Sequence, residues 1–263
     1  MDLGLAGKSA AVMAASDGLG KAAARALARE GCDVAICGRN EEKLHAAAKE
    51  IGEGTARRVV PIVADVSRAH DVERFVNAAA ADLRGLDILV VNAGGPPPGR
   101  FEDLSDAQWQ AAFDLTLMSA VRAIRAALPH FRAEHGGSVV GIGSTSVKQP
   151  IDNLLLSNSI RMSVAGLFKT LALDYAREGI RFNLVLPGTI ATDRSLQLAR
   201  ARAAESGATP EAALAERAKP IPLGRLGQPD EIGDAVAWLA SDRARYVTGV
   251  ALAVDGGIVR TPL

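Results

Sequence analysis

Aromatic side chains make up only 4% of the 263 residues. Surfaces that bind nucleic acid want a basic stripe with rings on which bases can stack. Here thirty basic and thirty acidic side chains cancel to a formal charge of zero. No strong field therefore points to a polynucleotide or an anionic membrane. No apolar run approaches the roughly 20 residues that cross a bilayer. The opening stretch, Met1 to Lys8, is short and polar and does not read as a secretory leader. There are two cysteines, Cys32 and Cys37, just before and at the end of a strand-like run. They read as packing residues of an intracellular chain. The four histidines (His45, His70, His130, His135) show no metal-ligand spacing with cysteines or carboxylates. These absences leave the expectation of a soluble, cytoplasmic protein with a small-molecule substrate and no metal.

What is present is an alternation of short apolar runs and alanine-rich helical stretches, in a chain 48% hydrophobic. The pattern predicts strands at Ser9–Ala14, Asp33–Cys37, Val59–Ala64, Ile88–Val91, Ser138–Ile142, Arg181–Leu186 and Ala251–Val254. It predicts helices at Leu19–Glu30, Glu41–Ile51, Ala69–Leu83, Asp106–Ala133, Asn153–Arg177 and Asp230–Ala240. Continuous apolar strands are buried on both faces, and intervening helices supply right-handed crossovers. The expected fold is α/β: a Rossmann-type, doubly wound parallel sheet of about seven strands with helices on both faces. Residues 1–263 read as one dinucleotide-binding domain near the upper size for a single core. The Arg/Ala/Glu-rich segment Asp193–Pro222 is either a lid over a substrate site or a pair of solvated surface helices. The proline-rich loop Gly94–Gly99 belongs at the carboxyl edge of the sheet.

After the first strand comes Ala14-Ala15-Ser16-Asp17-Gly18-Leu19-Gly20, then a helix. Glycines let backbone approach a pyrophosphate closely, and the helix start supplies free N–H groups. Gly18-x-Gly20-x-x-Ala23 fits the dinucleotide pattern, and its place between strand and helix strengthens it. The second strand ends at Cys37-Gly38-Arg39. An acid there would take a ribose 2′-hydroxyl; Arg39 instead suits a 2′-phosphate. That favours NADP(H) over NAD(H), although Asp17 adds a negative charge to the loop.

The Gly18-Leu19-Gly20 loop, Ala64-Asp65-Val66, Val91-Asn92-Ala93-Gly94, Ser144, Pro187-Gly188-Thr189-Ile190-Ala191-Thr192, Tyr246-Val247-Thr248-Gly249 and Val254-Asp255-Gly256-Gly257 together resemble the short-chain dehydrogenase/reductase family. The likeness is greatest to its 3-oxoacyl-(acyl carrier protein) reductase-like members and runs from about Leu5 to Arg260. It implies that Ser16 to Gly20 hold the pyrophosphate and that Asp65 and Val66 hold the adenine. Asn92, Ala93 and Gly94 would support the adenosine ribose. Pro187, Gly188, Ile190 and Thr192 would line the nicotinamide, with the Ile190 backbone and the Thr192 hydroxyl on its carboxamide. The C-terminal Val254–Gly257 segment resembles one that packs between subunits, usually in tetramers, so a homotetramer is expected.

The chain also departs from that family. Its loop begins Met13-Ala14 where the family has Thr-Gly. Of the family's Asn, Ser, Tyr and Lys, only Ser144 is kept. The Asn position is Thr116, the residue 13 beyond Ser144 is Ser157, and four further is Arg161. In this it is similar to a subgroup of reductase-like members with imperfect cofactor and active-site motifs. A serine hydroxyl is shorter and far less acidic than a phenol, and losing one positioned acid costs on the order of 10²–10⁴ in rate. Arg161 keeps a charge, but not the compact ammonium. Ser144 remains as an oxyanion donor, worth about 10²–10³. Lys148, four residues beyond Ser144, and Arg194, after Thr192, are further candidate cations for an alkoxide or an anionic substrate. Two readings stay open: an atypical NADP(H)-dependent oxidoreductase acting on a carbonyl or hydroxyl compound, or a catalytically silent dinucleotide-binding sensor or structural subunit.

Overall fold

Apolar segments with both faces covered build the centre of the molecule. In the computed structural model, which describes residues 2–192, 195–196 and 209–261, seven strands pair in parallel. They are β1 (Ser9–Val12), β2 (Asp33–Gly38), β3 (Val59–Val63), β4 (Ile88–Val91), β5 (Gly137–Ile142), β6 (Ile180–Pro187) and β7 (Ala251–Val254). Their order across the sheet is β3-β2-β1-β4-β5-β6-β7. Ala11 sits opposite Ala35 on one side and Leu89 on the other. This is the Rossmann-type doubly wound sheet that the alternating pattern predicts.

Successive strand residues point to opposite faces. Ala11 and Met13 therefore join one core layer, with Phe75, Phe131, Phe168 and Phe182. Ala10 and Val12 join the other, with Leu27, Ile36, Leu44, Ile232 and Leu239. The first layer is closed by α3 (Ala69–Leu83), α5 (Ser119–Ala133) and α6 (Leu155–Asp174). The second is closed by α1 (Gly18–Arg29), α2 (Glu41–Thr55) and α8 (Pro229–Ala240). Each fully buried phenylalanine contributes about 1.5–3 kcal/mol on transfer from water. Gly233 lets α8 approach α1 closely, since a Cβ there would meet the Ala22 carbonyl oxygen at 2.6 Å.

Beyond end shifts of up to four residues, such as Glu41–Thr55 for the expected Glu41–Ile51 and Leu155–Asp174 for the expected Asn153–Arg177, three differences bear on the site. The first strand stops at Val12 rather than Ala14, because Ala14 turns to a left-handed φ of 48°. The long helix expected at Asp106–Ala133 is two helices, α4 (Asp106–Phe113) and α5, joined by a π-helical turn at Asp114–Met118. Such turns insert a residue into the helical ladder and are frequent at functional sites. Here the Ser119 hydroxyl donates to Leu115 O at 2.6 Å, a bond that competes with the normal helical ladder. In the segment Asp193–Pro222, α7 spans Pro210–Ala218, with Thr209 accepting from Ala212 N at its start. Residues 193–194 and 197–208 of that segment lie outside the described residues. No helix among the described residues is long and apolar enough to cross a membrane.

Candidate active site

Strand order reverses between β1 and β4, and in open α/β sheets the ligand crevice opens at such a point, beyond the carboxyl ends of the strands. Here Asn92, the first residue after β4, fastens the turn that leaves β1. Its Nδ2 donates to Ala14 O at 3.1 Å and to Met13 O at 3.3 Å. Gly20 packs into the same knot. A Cβ there would collide with the Ala14 carbonyl oxygen and lie 2.7 Å from Asn92 Nδ2. The turn then opens α1 with Gly18 at φ 56° and Asp17 as its cap, the carboxylate accepting from Gly18 N at 2.7 Å.

Above this knot lies a cleft of about 630 Å³. Ser16, Asp17, Gly18 and Leu19, which follow β1, and Asn92, Ala93 and Gly94, which follow β4, line it. Arg39, Asp65 and Val66 line one end, at the tips of β2 and β3. Leu115, Gly143, Arg161 and Thr192 also line it. Side chains added at Gly94 or Gly95 would meet nothing within 4 Å. The cleft is open, with donors at the helix start; among the described residues the side chain nearest Gly18 is Thr192, whose Cγ2 lies 3.9 Å from where a Gly18 Cβ would be, so a dinucleotide fits it.

The expected cofactor residues do not all reach the cleft wall. Gly20, Pro187, Gly188 and Ile190 are not among its lining residues; the last three lead into the loop ending at Thr192. That loop is held from below. Gly227 N donates to Thr189 O at 3.0 Å, and Ala191 N donates to Gly227 O at 2.8 Å. Gln228 and Glu231 then form a capping box that starts α8, and Arg225 clasps Glu231. Asp65 accepts from Ser67 N and Oγ at 3.0 and 2.8 Å, while its own N–H donates to Asp71. That N–H, with help from Arg74, holds the Asp71 carboxyl below its usual range. Asp71 was not apparent from the motifs; the cleft-lining Gly38, Ala64 and Gly95 lie within the segments quoted above but were not assigned to the site.

Among the residues expected to do chemistry, Arg161 lines the cleft. Its Nε donates to Ser157 Oγ at 3.2 Å, and its Nη1 donates to Ile142 O and Gly143 O at 3.2 and 3.1 Å. The two carbonyls lie at the carboxyl end of β5, a contact that a helix-spacing argument could not foresee. Ser157 is buried on α6 one turn before Arg161. Ser144 caps the short turn Thr145–Val147, its hydroxyl accepting from Ser146 N at 3.1 Å. Lys148 is half-buried at the end of that turn. Thr116 is buried inside the π-helical turn, with Oγ1 unpaired among the described residues. None of these four lines the cleft wall. Arg194 lies outside the described residues. The chain's two tyrosines are elsewhere: Tyr175 packs on Phe182 and Tyr246 is fully exposed. Burial pushes the Cys32 and Cys37 thiols up to about 12, which removes them as nucleophiles.

Comparison with known proteins settles the lineage. The family model described as enoyl-(acyl carrier protein) reductase matches residues 13–259. The chain belongs to the short-chain dehydrogenase/reductase family of oxidoreductases. Oxidoreductase UcpA of Escherichia coli strain K12 is 34% identical over 254 residues, covering 96% of this chain and 95% of that one. The 3beta-hydroxysteroid dehydrogenase 1 of Eggerthella lenta is 34% identical over 259 residues, covering 98% and 96%. The structure of L-sorbose reductase from Gluconobacter frateurii, complexed with NADPH and L-sorbose, superposes with a TM-score of 0.97 at 32% identity, covering 99% of this chain and 100% of that one.

Proposed function

We propose that this short-chain dehydrogenase/reductase binds NADP(H) in preference to NAD(H) and interconverts a carbonyl compound and its alcohol by a proton path that uses no tyrosine. The observation that carries this reading is the open cleft at the strand-order reversal, with Arg39 at its adenosine end and Arg161 farther along its wall. The 3-oxoacyl-(acyl carrier protein) reductase-like type is the reading its motifs support. The likeness to a reductase complexed with NADPH supports the cofactor. A homotetramer in the cytoplasm belongs to the same reading.

On this reading, Gly18 and the start of α1 receive the pyrophosphate, Asp65 and Val66 the adenine, and Asn92 to Gly94 the adenosine ribose. Arg39, exposed and without an ion pair among the described residues, takes the 2′-phosphate. Pro187 to Thr192 shape the nicotinamide site, with the Ile190 backbone and Thr192 hydroxyl toward the carboxamide. When bound, the cofactor supplies the hydride. The protein's part is at the carbonyl oxygen, which would take one proton as the alcohol forms; alcohol oxidation would run the reverse. The Arg161 cation stabilises charge developing on that oxygen. Ser157, which accepts a bond from Arg161 behind the cleft wall, positions that cation. Ser144, next to the cleft-lining Gly143, is the hydroxyl this reading keeps for the oxygen.

One observation favours the alternative, a silent dinucleotide binder: no tyrosine lines the cleft. Titration with NADPH and NADH by fluorescence, followed by steady-state assays on a panel of ketones, separates the two. Tight NADPH binding with turnover on any ketone supports the reductase. Tight binding without turnover assigns the silent role. Absence of binding at millimolar dinucleotide overturns both.

A further inference from the structure

A carboxylate has two oxygens, and Asp114 uses both to brace the π-helical turn Asp114–Met118 that it opens. On one side Gln110 Nε2, on α4, donates to Oδ2 at 2.9 Å. On the other Arg122 Nη2, on α5, donates to Oδ1 at 2.9 Å. Gln110 first, and Arg122 after it, hold the Asp114 carboxyl below its usual range. The brace spans the turn from the helix before it to the helix after it. A π-helical turn gives up the regular helical ladder, and it persists where its surroundings hold it.

Arg122 also reaches a second segment. Its Nη1 donates to Ser67 O at 3.2 Å, on the loop that follows β3. That loop carries Asp65 and Val66, which line the cleft. The Asp65 carboxylate fastens Ser67 through both its N–H and its hydroxyl. The π-helical turn lines the cleft too, through Leu115, and it buries Thr116. Among the described residues no other hydrogen bond joins the loop to the turn. Arg122 itself is not a lining residue of the cleft. Side-chain exposure is 20% for Arg122 and 31% for Asp114, so both bonds are largely withdrawn from solvent. A planar guanidinium holds its two donors in fixed relation, so a shift of one acceptor is passed to the other.

We propose that Arg122 is a positioning residue that ties the adenosine end of the cleft to the π-helical turn, so that a ligand filling that end steadies Leu115 and Thr116. The proposal rests on the dinucleotide reading above and adds to it a coupling between two parts of the cleft wall. Such a coupling is established by a change at one place caused by binding at the other.

The test uses ADP and 2′,5′-ADP, which can fill the adenosine end and carry no nicotinamide to touch Leu115. Binding is measured by calorimetry. Amide hydrogen exchange is then followed over Ala64–Arg68 and over Asp114–Ser119, with no turnover required. In the wild type the tighter fragment should slow exchange in both segments, by about 5-fold or more at the turn, the lower range of coupling between sites. In Arg122→Met, with fragment bound, the loop should still be slowed and the turn should not. Arg122→Lys keeps the charge but puts one nitrogen where two now act, so it should retain only part of the effect at the turn. It also carries the test if Arg122→Met does not fold. Slowing at the turn equal to wild type in either variant overturns the tie. So does a wild-type turn that is unaffected while the loop is protected. Loss of slowing in both segments of Arg122→Met means that Arg122 only shapes the loop, and overturns it as well. Failure of both fragments to bind a wild type that binds NADPH overturns it too, because the adenosine end then does not act alone. If NADPH also fails to bind, the dinucleotide reading itself is lost and the tie goes with it.

Discussion

Asn92 Nδ2 donates to the carbonyl oxygen of Ala14 at 3.1 Å, so the residue that follows β4 fastens the turn that follows β1. Ala14 pays for this position with a φ of 48°, a conformation that L-residues other than glycine rarely adopt. The family places glycine at this position. Ala14→Gly should therefore stabilise the fold. Left-handed backbone costs alanine about 1–2 kcal/mol, and glycine returns about 0.4–1 kcal/mol of that through the unfolded chain. A net gain of about 0.5–1 kcal/mol follows, which raises the thermal midpoint by about 2–4 °C at most. Urea and thermal unfolding of the two proteins check it. An unchanged or lower midpoint shows that the Ala14 methyl packs well enough to offset the strain.

Arg39 is the residue on which cofactor choice turns. It is exposed at the tip of β2, and it lines the cleft. Arg39→Ala should weaken NADPH by about 10- to 100-fold, the loss of a charge-assisted contact to phosphate. NADH, which lacks that phosphate, should be affected far less. Parallel fluorescence titrations decide the matter. Equal weakening of both dinucleotides would mean that Arg39 supports the adenosine in general and does not read the 2′-phosphate.

The loop ending at Thr192 depends on a clasp some distance below it. Glu231 receives Arg225 Nη2 at 2.7 Å and Gln228 N at 2.7 Å. Arg225 first, and that backbone donor second, depress the Glu231 carboxyl to about 2. A carboxyl depressed on folding contributes stability that is present above its unfolded pKa, near 4.5, and disappears as pH falls through about 2. The Glu231 carboxylate is two-fifths exposed and the Arg225 guanidinium more than half, so solvent screening keeps the worth of the clasp small. Glu231→Gln should lower stability slightly at neutral pH. The gap between the two proteins should narrow below about pH 4.5 and close near pH 2. A gap that is constant across this range assigns the loss to packing, not charge.

Much of this was legible in the residues, and what was not has physical causes. Apolar runs and crossovers give a seven-stranded parallel sheet because period and burial are local properties. Gly18 and Arg39 could be placed at the cleft because a strand, a turn and a helix leave them few other positions. The end of β1 was misjudged at Ala14 because a non-glycine residue at positive φ leaves no compositional mark. The break at Asp114 was missed because a π-helical turn keeps the helical apolar period on either side. Arg161 was correctly set on the same helix face as Ser157. Its bonds to Ile142 O and Gly143 O join segments 18 and 19 residues apart, and no spacing rule reports those. Asp71, which supports Asp65, was hidden because its partner is a backbone N–H.

If the missing phenol limits catalysis, restoring it should restore rate. Ser157 and Arg161 stand one turn apart on α6, where the family keeps tyrosine and lysine, so Ser157→Tyr with Arg161→Lys rebuilds that pair on the existing helix. A phenol beside an ammonium loses its proton more readily than a free one, which brings it toward a working acid. The double variant should reduce a neutral ketone with NADPH about 10²–10⁴-fold faster than the parent, the span of one positioned general acid. Ser157→Tyr alone should gain less. Arg161 would remain drawn to the Ile142 and Gly143 carbonyls, with its planar fork in the space that the smaller ammonium leaves free. The rate of the double variant should fall as pH rises through the new tyrosine's pKa, because the protonated phenol is the donor. The comparison is made on proteins shown by titration to bind NADPH equally. If the double variant then gains nothing, the absent tyrosine is not what sets the rate, and the position of the carbonyl relative to Ser144 becomes the quantity to change.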